Sequence, residues 1–168
     1  MPDEIINRVA NSKLVTIDLE DYYPEGERVL FDIKDWLYEG FVLREKEFRQ
    51  RVNAHDWKQY QDNYVALTCS TDAIIPAWAY MLLSSQLEPY AIKVIIGSLD
   101  LLETSIYQDI IKTLNLSKFT DKPIIIKGCS NKPVPTNAYT MLTSALKPVA
   151  KSIMYGEACS AVPLYKRK

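Results

Sequence analysis

The sequence predicts an α/β fold: a four-stranded parallel, doubly wound sheet built from an internal strand–helix–strand duplication, with an antiparallel ribbon at the N-terminus. From residue 64 onwards, short apolar runs alternate with helical patterns, which is typical of a parallel sheet covered on both faces. Residues 64–97 and 123–156 also share many identities in constant register, with one gap in a loop. The matched pairs include Cys69/Cys129, Ser70/Ser130, Tyr80/Tyr139 and Gly97/Gly156.

The first 60 residues are predicted to form the ribbon and a surface helix. Residues 13–22 and 28–36 alternate apolar and polar side chains, as half-buried strands do. Tyr23-Pro-Glu-Gly-Glu between them is typical of a turn, so the two runs are expected to pair antiparallel. Residues 44–57 carry a few apolar positions among charges, which indicates a surface helix. Residues 4–12 are interpreted as a short helix or an ordered arm.

Residues 61–168 are predicted to form the duplicated parallel core. The predicted strands are 64–68, 92–96, 123–127 and 152–155, and the predicted helices are 76–87, 99–114 and 136–146. Right-handed crossovers make the first two strands neighbours, and likewise the last two. If the halves abut through their first strands, the sheet reverses its winding there, and doubly wound folds bind ligands at such a point.

Composition and charge favour a single soluble domain, residues 1–168, in the cytoplasm. The 168 residues are 48% hydrophobic, and the formal net charge is −1, which argues against a general nucleic-acid binder. No apolar run is long enough to span a bilayer, and no signal peptide is expected at the N-terminus. Three cysteines without an export signal indicate reduced thiols. A pseudo-symmetric core with many surface aromatics would suit a homodimer, although nothing in the sequence requires one.

The three cysteines each follow a predicted strand of the core. Cys69 and Cys129 come directly after the first and third strands, and Cys159 comes after the fourth. Because parallel strands end at one rim of a sheet, the three thiolates are expected to converge on zinc, iron or an iron–sulfur cluster. His55, the only histidine, is the candidate fourth ligand, with Asp72 or solvent as substitutes. The spacing lacks a Cys-x-x-Cys motif, so the pattern is less specific than a zinc ribbon.

Other functions stay open, and so does the question of catalysis. A cysteine before a helix could be an activated thiolate for sulfur transfer or redox sensing. Ser70 and Ser130, with the amides around them, are candidate cofactor-binding residues for a phosphate or carboxylate, or simply helix caps. In a further alternative, the cysteines are packed as small hydrophobes, and the protein is a non-catalytic interaction module. The chain has no P-loop, Gly-x-Gly-x-x-Gly or Gly-x-Ser-x-Gly motif.

Several runs together resemble one family. They are Val-Thr-Ile-Asp-Leu-Glu-Asp-Tyr (15–22), Phe-Asp-Ile-Lys-Asp-Trp-Leu (31–37), Ala-Leu-Thr-Cys-Ser (66–70), Ile-Lys-Gly-Cys-Ser (126–130) and the segment 149–166. Over essentially its whole length, the chain is similar to the bacterial domain-of-unknown-function family 2480. The resemblance implies a small single-domain cytoplasmic protein and no particular activity. It also implies iron–sulfur assembly proteins as partners, which favours Cys69, Cys129 and Cys159 as ligands.

Overall fold

A computed structural model describes residues 13–128 and 131–168, which form a mixed α/β structure with four α-helices and two sheets. The strands are β1 (Val15–Ile17), β2 (Arg28–Asp32), β3 (Tyr64–Thr68), β4 (Lys93–Ile96), β5 (Pro123–Ile126), β6 (Ser152–Tyr155) and β7 (Val162–Lys166). The helices are α1 (Glu45–Ala54), α2 (Ala77–Leu87), α3 (Leu99–Thr113) and α4 (Thr136–Leu146). The helix or arm predicted at residues 4–12 lies outside the described residues.

The strands are divided between two sheets. The first has the order β2-β3-β4 and is entirely parallel; the second has the order β1-β5-β6-β7 and is parallel except for β6 and β7. The predicted parallel pairs β3–β4 and β5–β6 are therefore confirmed. The prediction that these four strands form one sheet is wrong, because β3 and β5 belong to different sheets and each has another strand at its side.

The predicted antiparallel ribbon is also wrong. β1 pairs in parallel with β5, with Val15 opposite Ile124, and β2 pairs in parallel with β3, with Arg28 opposite Tyr64. Alternation shows that a strand has one buried face, but it does not select the partner strand. An isolated two-stranded hairpin is only marginally stable in water. The buried apolar strand β5 offers an edge to β1, and the buried apolar strand β3 offers an edge to β2.

The chain forms two compact units. Of the described residues, unit 1 comprises those up to Tyr23 and those from Tyr107 to Lys168, and unit 2 comprises Pro24–Ile106. Unit 1 therefore contains the sheet β1-β5-β6-β7, and unit 2 contains β2-β3-β4. The predicted single domain stays a prediction. None of the helices among the described residues combines the length and the apolarity needed to cross a membrane.

Unit 2 has its core on the face of the sheet that α1 and α2 cover. Both crossovers, β2 to β3 and β3 to β4, step in the same direction, so right-handed connections place both helices on one face. Phe48 of α1 and Leu83 of α2 are fully buried in one cluster with Val65 and Leu67 of β3. The opposite charges of Arg28 and Glu103 form a buried ion pair of 2.6 Å elsewhere in this unit.

Unit 1 is built around β5. Ile124 and Ile126 are buried with Ile153 of β6 and with the α4 residues Leu142 and Leu146. β7 then adds antiparallel to β6, with an irregularity in the register between Ile153 and Met154. The second edge of β6 is thus paired by a strand that the alternating helix and strand pattern did not predict.

Candidate functional site

The loop after β3 holds Cys69 in a network of hydrogen bonds within unit 2. The Cys69 sulfur lies 3.4 Å from the Thr71 hydroxyl and 3.6 Å from the Thr71 carbonyl oxygen. The Thr71 hydroxyl donates its one proton to the Gly40 carbonyl oxygen at 3.0 Å, so the thiol is the donor towards Thr71. The half-buried Cys69 is therefore held by hydrogen bonds within its own loop, whereas metal ligation and nucleophilic attack both require a thiolate that is free to react.

Asp32 anchors the same loop to the end of β2. Its carboxylate accepts the amides of Lys34 (3.0 Å) and Ser70 (3.1 Å). Burial opposes ionisation of Asp32, but hydrogen bonds from the Ser70 hydroxyl and from these two amides outweigh it and hold the pKa of Asp32 below its ordinary value. Ser70 does not cap α2, whose N-cap position is Pro76 without a side-chain bond. Its predicted cofactor-binding role stays a prediction.

Tyr80 of α2 completes this part of unit 2. Burial raises the pKa of Tyr80, and the nearby Cys69 and Asp32 add to the rise. The Tyr80 phenol therefore stays protonated over the physiological pH range.

The corresponding loop of unit 1 begins at Lys127, after β5, and carries an ion pair. The Lys127 ammonium lies 2.9 Å from the carboxylate of Asp18, which also accepts the Glu20 amide at 3.0 Å. Burial opposes ionisation of Asp18, but these hydrogen bonds and the Lys127 charge outweigh it and lower the pKa of Asp18. Asp18 in turn raises the pKa of Lys127. Glu157 and Glu20 add to the negative field at Lys127. The Glu20 carboxylate in turn accepts the Asn131 amide at 3.0 Å.

Two of the three cysteines follow neighbouring strands of unit 1. Ile126 and Tyr155 are partners at the carboxyl ends of β5 and β6, and the Tyr155 hydroxyl donates to the Gly128 carbonyl oxygen at 3.3 Å. The exposed Cys159 lies in the loop after β6. Cys129 comes three residues after β5 in the sequence; it and Ser130 lie outside the described residues.

Cys69 belongs to unit 2 and Cys159 to unit 1, while Cys129, which lies outside the described residues, follows a strand of unit 1 in the sequence. The expectation that the strands preceding Cys69 and Cys129 are neighbours is wrong, since β3 and β5 lie in different sheets. The convergence of all three thiols stays a prediction.

His55 lies in an aromatic cluster of unit 2, immediately after α1. Its ring is 4.7 Å from that of Trp57 between centroids, and it stacks on Tyr60. Its Nε2 atom lies 2.9 Å from the Tyr60 hydroxyl oxygen. Burial lowers the pKa of His55, against the opposing charge of Asp56. The ring is thus used in packing and hydrogen bonding, and its predicted role as fourth metal ligand stays a prediction.

The described donors alone do not form a metal centre. In residues 13–128 and 131–168, no group of three or more histidine, cysteine, aspartate and glutamate side chains could hold a metal ion. A site in unit 1 would need Cys129 in addition to Cys159. Thiolates with one or two carboxylates are donors that suit zinc or iron, so the residue types around this loop fit such an ion.

From the sequence, the aspartates that organise both loops are interpreted as the solvated face of the predicted ribbon and not as site residues. A signal for them was present: Asp18 begins the run Asp-Leu-Glu-Asp-Tyr, and Asp32 begins the similar run Asp-Ile-Lys-Asp-Trp. Each aspartate lies at or directly after the end of a strand, caps the following 3₁₀ turn and bonds to the chain after the neighbouring strand. Alignment of these two runs would have marked Asp18 and Asp32 as equivalent positions.

Comparison with known proteins gives one match. The model of the family described as "Protein of unknown function (DUF2480)" matches residues 3–167, which is nearly the whole chain. No curated protein and no solved structure matches it.

Proposed function

The chain belongs to the DUF2480 family of proteins of unknown function, and we propose a function from its own residues. The protein is a small accessory protein that binds a metal ion or an iron–sulfur species through cysteines. One observation carries the proposal: the loops that bear Cys129 and Cys159 follow β5 and β6, which are neighbouring parallel strands of one sheet. Neighbouring strands are about 4.8 Å apart, so side chains of the two loops can reach a common ion. We further propose a cytoplasmic location and iron–sulfur assembly proteins as partners.

A carboxylate next to these loops is a further donor for a metal ion. Glu157 lies close enough to Lys127 to raise its pKa, and its carboxylate is a candidate oxygen ligand. Cys69 is the weaker candidate ligand, because its thiol already donates to Thr71.

The test is metal analysis of protein purified anaerobically without added metal. We expect zinc or iron near one equivalent, with an absorption band from thiolate ligation in the case of iron. The double variant Cys129→Ser/Cys159→Ser should lose the metal, whereas the matched variant Cys69→Ser should keep it. Metal-free wild-type protein, or a double variant that keeps its full metal content, would contradict the proposal.

A second candidate function is a non-catalytic interaction module with structural cysteines, and the hydrogen bonds of Cys69 favour it. Thiol titration of the native, metal-free protein separates the candidates. With structural cysteines, the half-buried Cys69 should react only on unfolding and the exposed Cys159 at the rate of an ordinary free thiol. A thiol that reacts much faster than a free cysteine would point to the third alternative, a thiol-based sulfur-transfer enzyme.

We also propose that the two units arose by internal duplication. Beyond the sequence identities, equivalent backbone bonds support it. The Gly97 amide donates to the Leu67 carbonyl oxygen as the Gly156 amide does to that of Ile126. The Asp62 amide donates to the Tyr90 carbonyl oxygen as the Asp121 amide does to that of Val149, and both aspartates have positive φ.

A further inference from the structure

Strand β4 is an edge of the unit 2 sheet with an apolar surface beside it. In the part of the chain that the structure describes, β4 pairs with β3 alone. Ile96 is 56% exposed, and Met81 of α2 is 69% exposed. An edge strand with exposed apolar side chains is a template for pairing with another strand, and proteins normally shorten, charge or cover such edges.

A groove between α2 and β4 accompanies this edge. Its volume is about 610 Å³. Its lining is largely apolar and includes Leu67, Tyr80, Met81, Val94 and Ile96. An apolar groove next to an open strand edge can take both the backbone and the side chains of an added strand.

Unit 1 shows how the equivalent edge is completed. β6 corresponds to β4 in its position after the helix, and β7 covers it as an antiparallel strand. The counterpart groove, of about 480 Å³, is lined by Ile126, Tyr139, Ser144, Tyr155 and the β7 residue Leu164. In unit 1, the edge of β6 is therefore covered by an antiparallel strand that places an apolar side chain at the groove. In unit 2, the chain continues from Gly97 into α3 instead.

We propose that β4 pairs antiparallel with β4 of a second copy of this chain, which makes a six-stranded sheet across a two-fold axis. A two-fold axis perpendicular to a sheet produces antiparallel pairing at the shared edge, which is the direction that β7 takes on β6. The formal net charge of −1 leaves little long-range repulsion between copies. This inference is independent of metal binding.

The backbone of β4 allows a register centred on Ile95. The Gly97 amide donates to the Leu67 carbonyl oxygen at the β3 side, and backbone groups alternate along a strand, so Val94 and Ile96 direct their amides and carbonyls away from β3. With Ile95 of the two copies opposite each other on the axis, Val94 and Ile96 exchange these free backbone hydrogen bonds across the new pair. Val94 then faces Ile96 of the second copy on the groove side, where both line the groove.

The same register keeps the lysines apart. Lys93 faces Gly97 of the second copy, so like charges are not opposed and the pairs at the centre are all apolar. The strand is therefore complementary to itself when it is centred on Ile95.

The test measures mass against concentration by light scattering and analytical ultracentrifugation. We expect a wild-type dimer at about 100 μM. Ile96→Lys adds a charge to each of the two Val94–Ile96 pairs and should raise the dimer dissociation constant at least about 100-fold. The matched control Leu30→Lys changes a residue that is 48% exposed on β2, the other edge of the same sheet, and should leave the dimer intact.

A second variant and a second measurement distinguish loss of the dimer from misfolding of the variant. Met81→Lys changes an exposed residue of α2 and should also weaken the dimer. The Val94 and Ile96 amides, which point away from β3, should exchange slowly with solvent in the dimer and faster on dilution. A wild-type monomer at every concentration would overturn the proposal and leave a segment of another protein as the occupant of the edge. A dimer that resists both Ile96→Lys and Met81→Lys would overturn it as well.

Discussion

Single residues in this protein take their properties from what surrounds them more than from their type. Cys69 packs as a hydrogen-bonded thiol, while Cys159 is exposed. His55 is a ring in an aromatic cluster, bonded to the Tyr60 hydroxyl. Burial lowers the pKa of His55 and raises that of Tyr60, because both charged forms lose hydration.

The pH dependence of stability between pH 7 and 5 should report His55, the only histidine. Its folded-state pKa is lowered, whereas in the unfolded chain it binds its proton near the ordinary value of about 6.5. The stabilisation is therefore complete above that value and is lost as the pH falls through the folded-state pKa. The free energy of unfolding in urea should fall from pH 7 to pH 5, and His55→Phe should reduce the fall. A wild-type protein that becomes more stable on acidification would refute this assignment.

At the scale of elements, the same local devices position both loops. Each of the strands β3 and β5 has a neighbour with a capping aspartate at its carboxyl end, and each following strand, β4 or β6, is succeeded by a glycine with positive φ. The capping bonds supply the amides of a short 3₁₀ turn with an acceptor. Unit 2 has a further device, the buried ion pair of Arg28 with Glu103 at the start of β2.

The Asp32 carboxylate should contribute more to stability than a capping aspartate without a second role. Asp56 caps its 3₁₀ turn through the Lys58 amide at 3.1 Å, as Asp32 does through the Lys34 amide, but only Asp32 also bonds to Ser70. We expect Asp32→Ala to cost about 2 kcal/mol and the matched variant Asp56→Ala about 1 kcal/mol in the free energy of unfolding. Equal losses in chemical denaturation would mean that the bond to Ser70 contributes nothing measurable.

Gly97 and Gly156 should resist substitution to the same degree. Their φ angles are +143° and +116°, a region that residues with a Cβ rarely adopt. A Cβ at Gly97 would also lie 2.6 Å from the Leu101 side chain. We expect Gly97→Ala and Gly156→Ala each to cost about 1–3 kcal/mol, measured by thermal and urea unfolding. If one of the two variants kept its melting temperature, the equivalence of the positions would lose support.

At the scale of the whole molecule, local patterns predicted the elements but not their assembly. Periodicity and prolines located β3 to β6 and α2 to α4 to within a residue or so, because each has a clear apolar face and a clear end. The sheets were mispredicted, since a strand's partner depends on long-range packing. The sequence did not predict β7, because Pro163 interrupts its short apolar run. Within sheets, proline is compatible mainly with edge strands such as β7. The bonds that engage Cys69 depend on Gly40, a residue distant in sequence.

The insertion of unit 2 within unit 1 has a consequence for the order in which the chain can fold during its synthesis. All strands of unit 2 are available once residue 106 has left the ribosome. β1 is synthesised before the other described strands, yet it cannot pair until β5 has emerged, because Val15 pairs with Ile124. Pairing between such distant segments carries a large loop-closure cost and is slow. The earliest of the described strands is therefore among the last to reach its native partner, and its edge stays unpaired in the nascent chain until then.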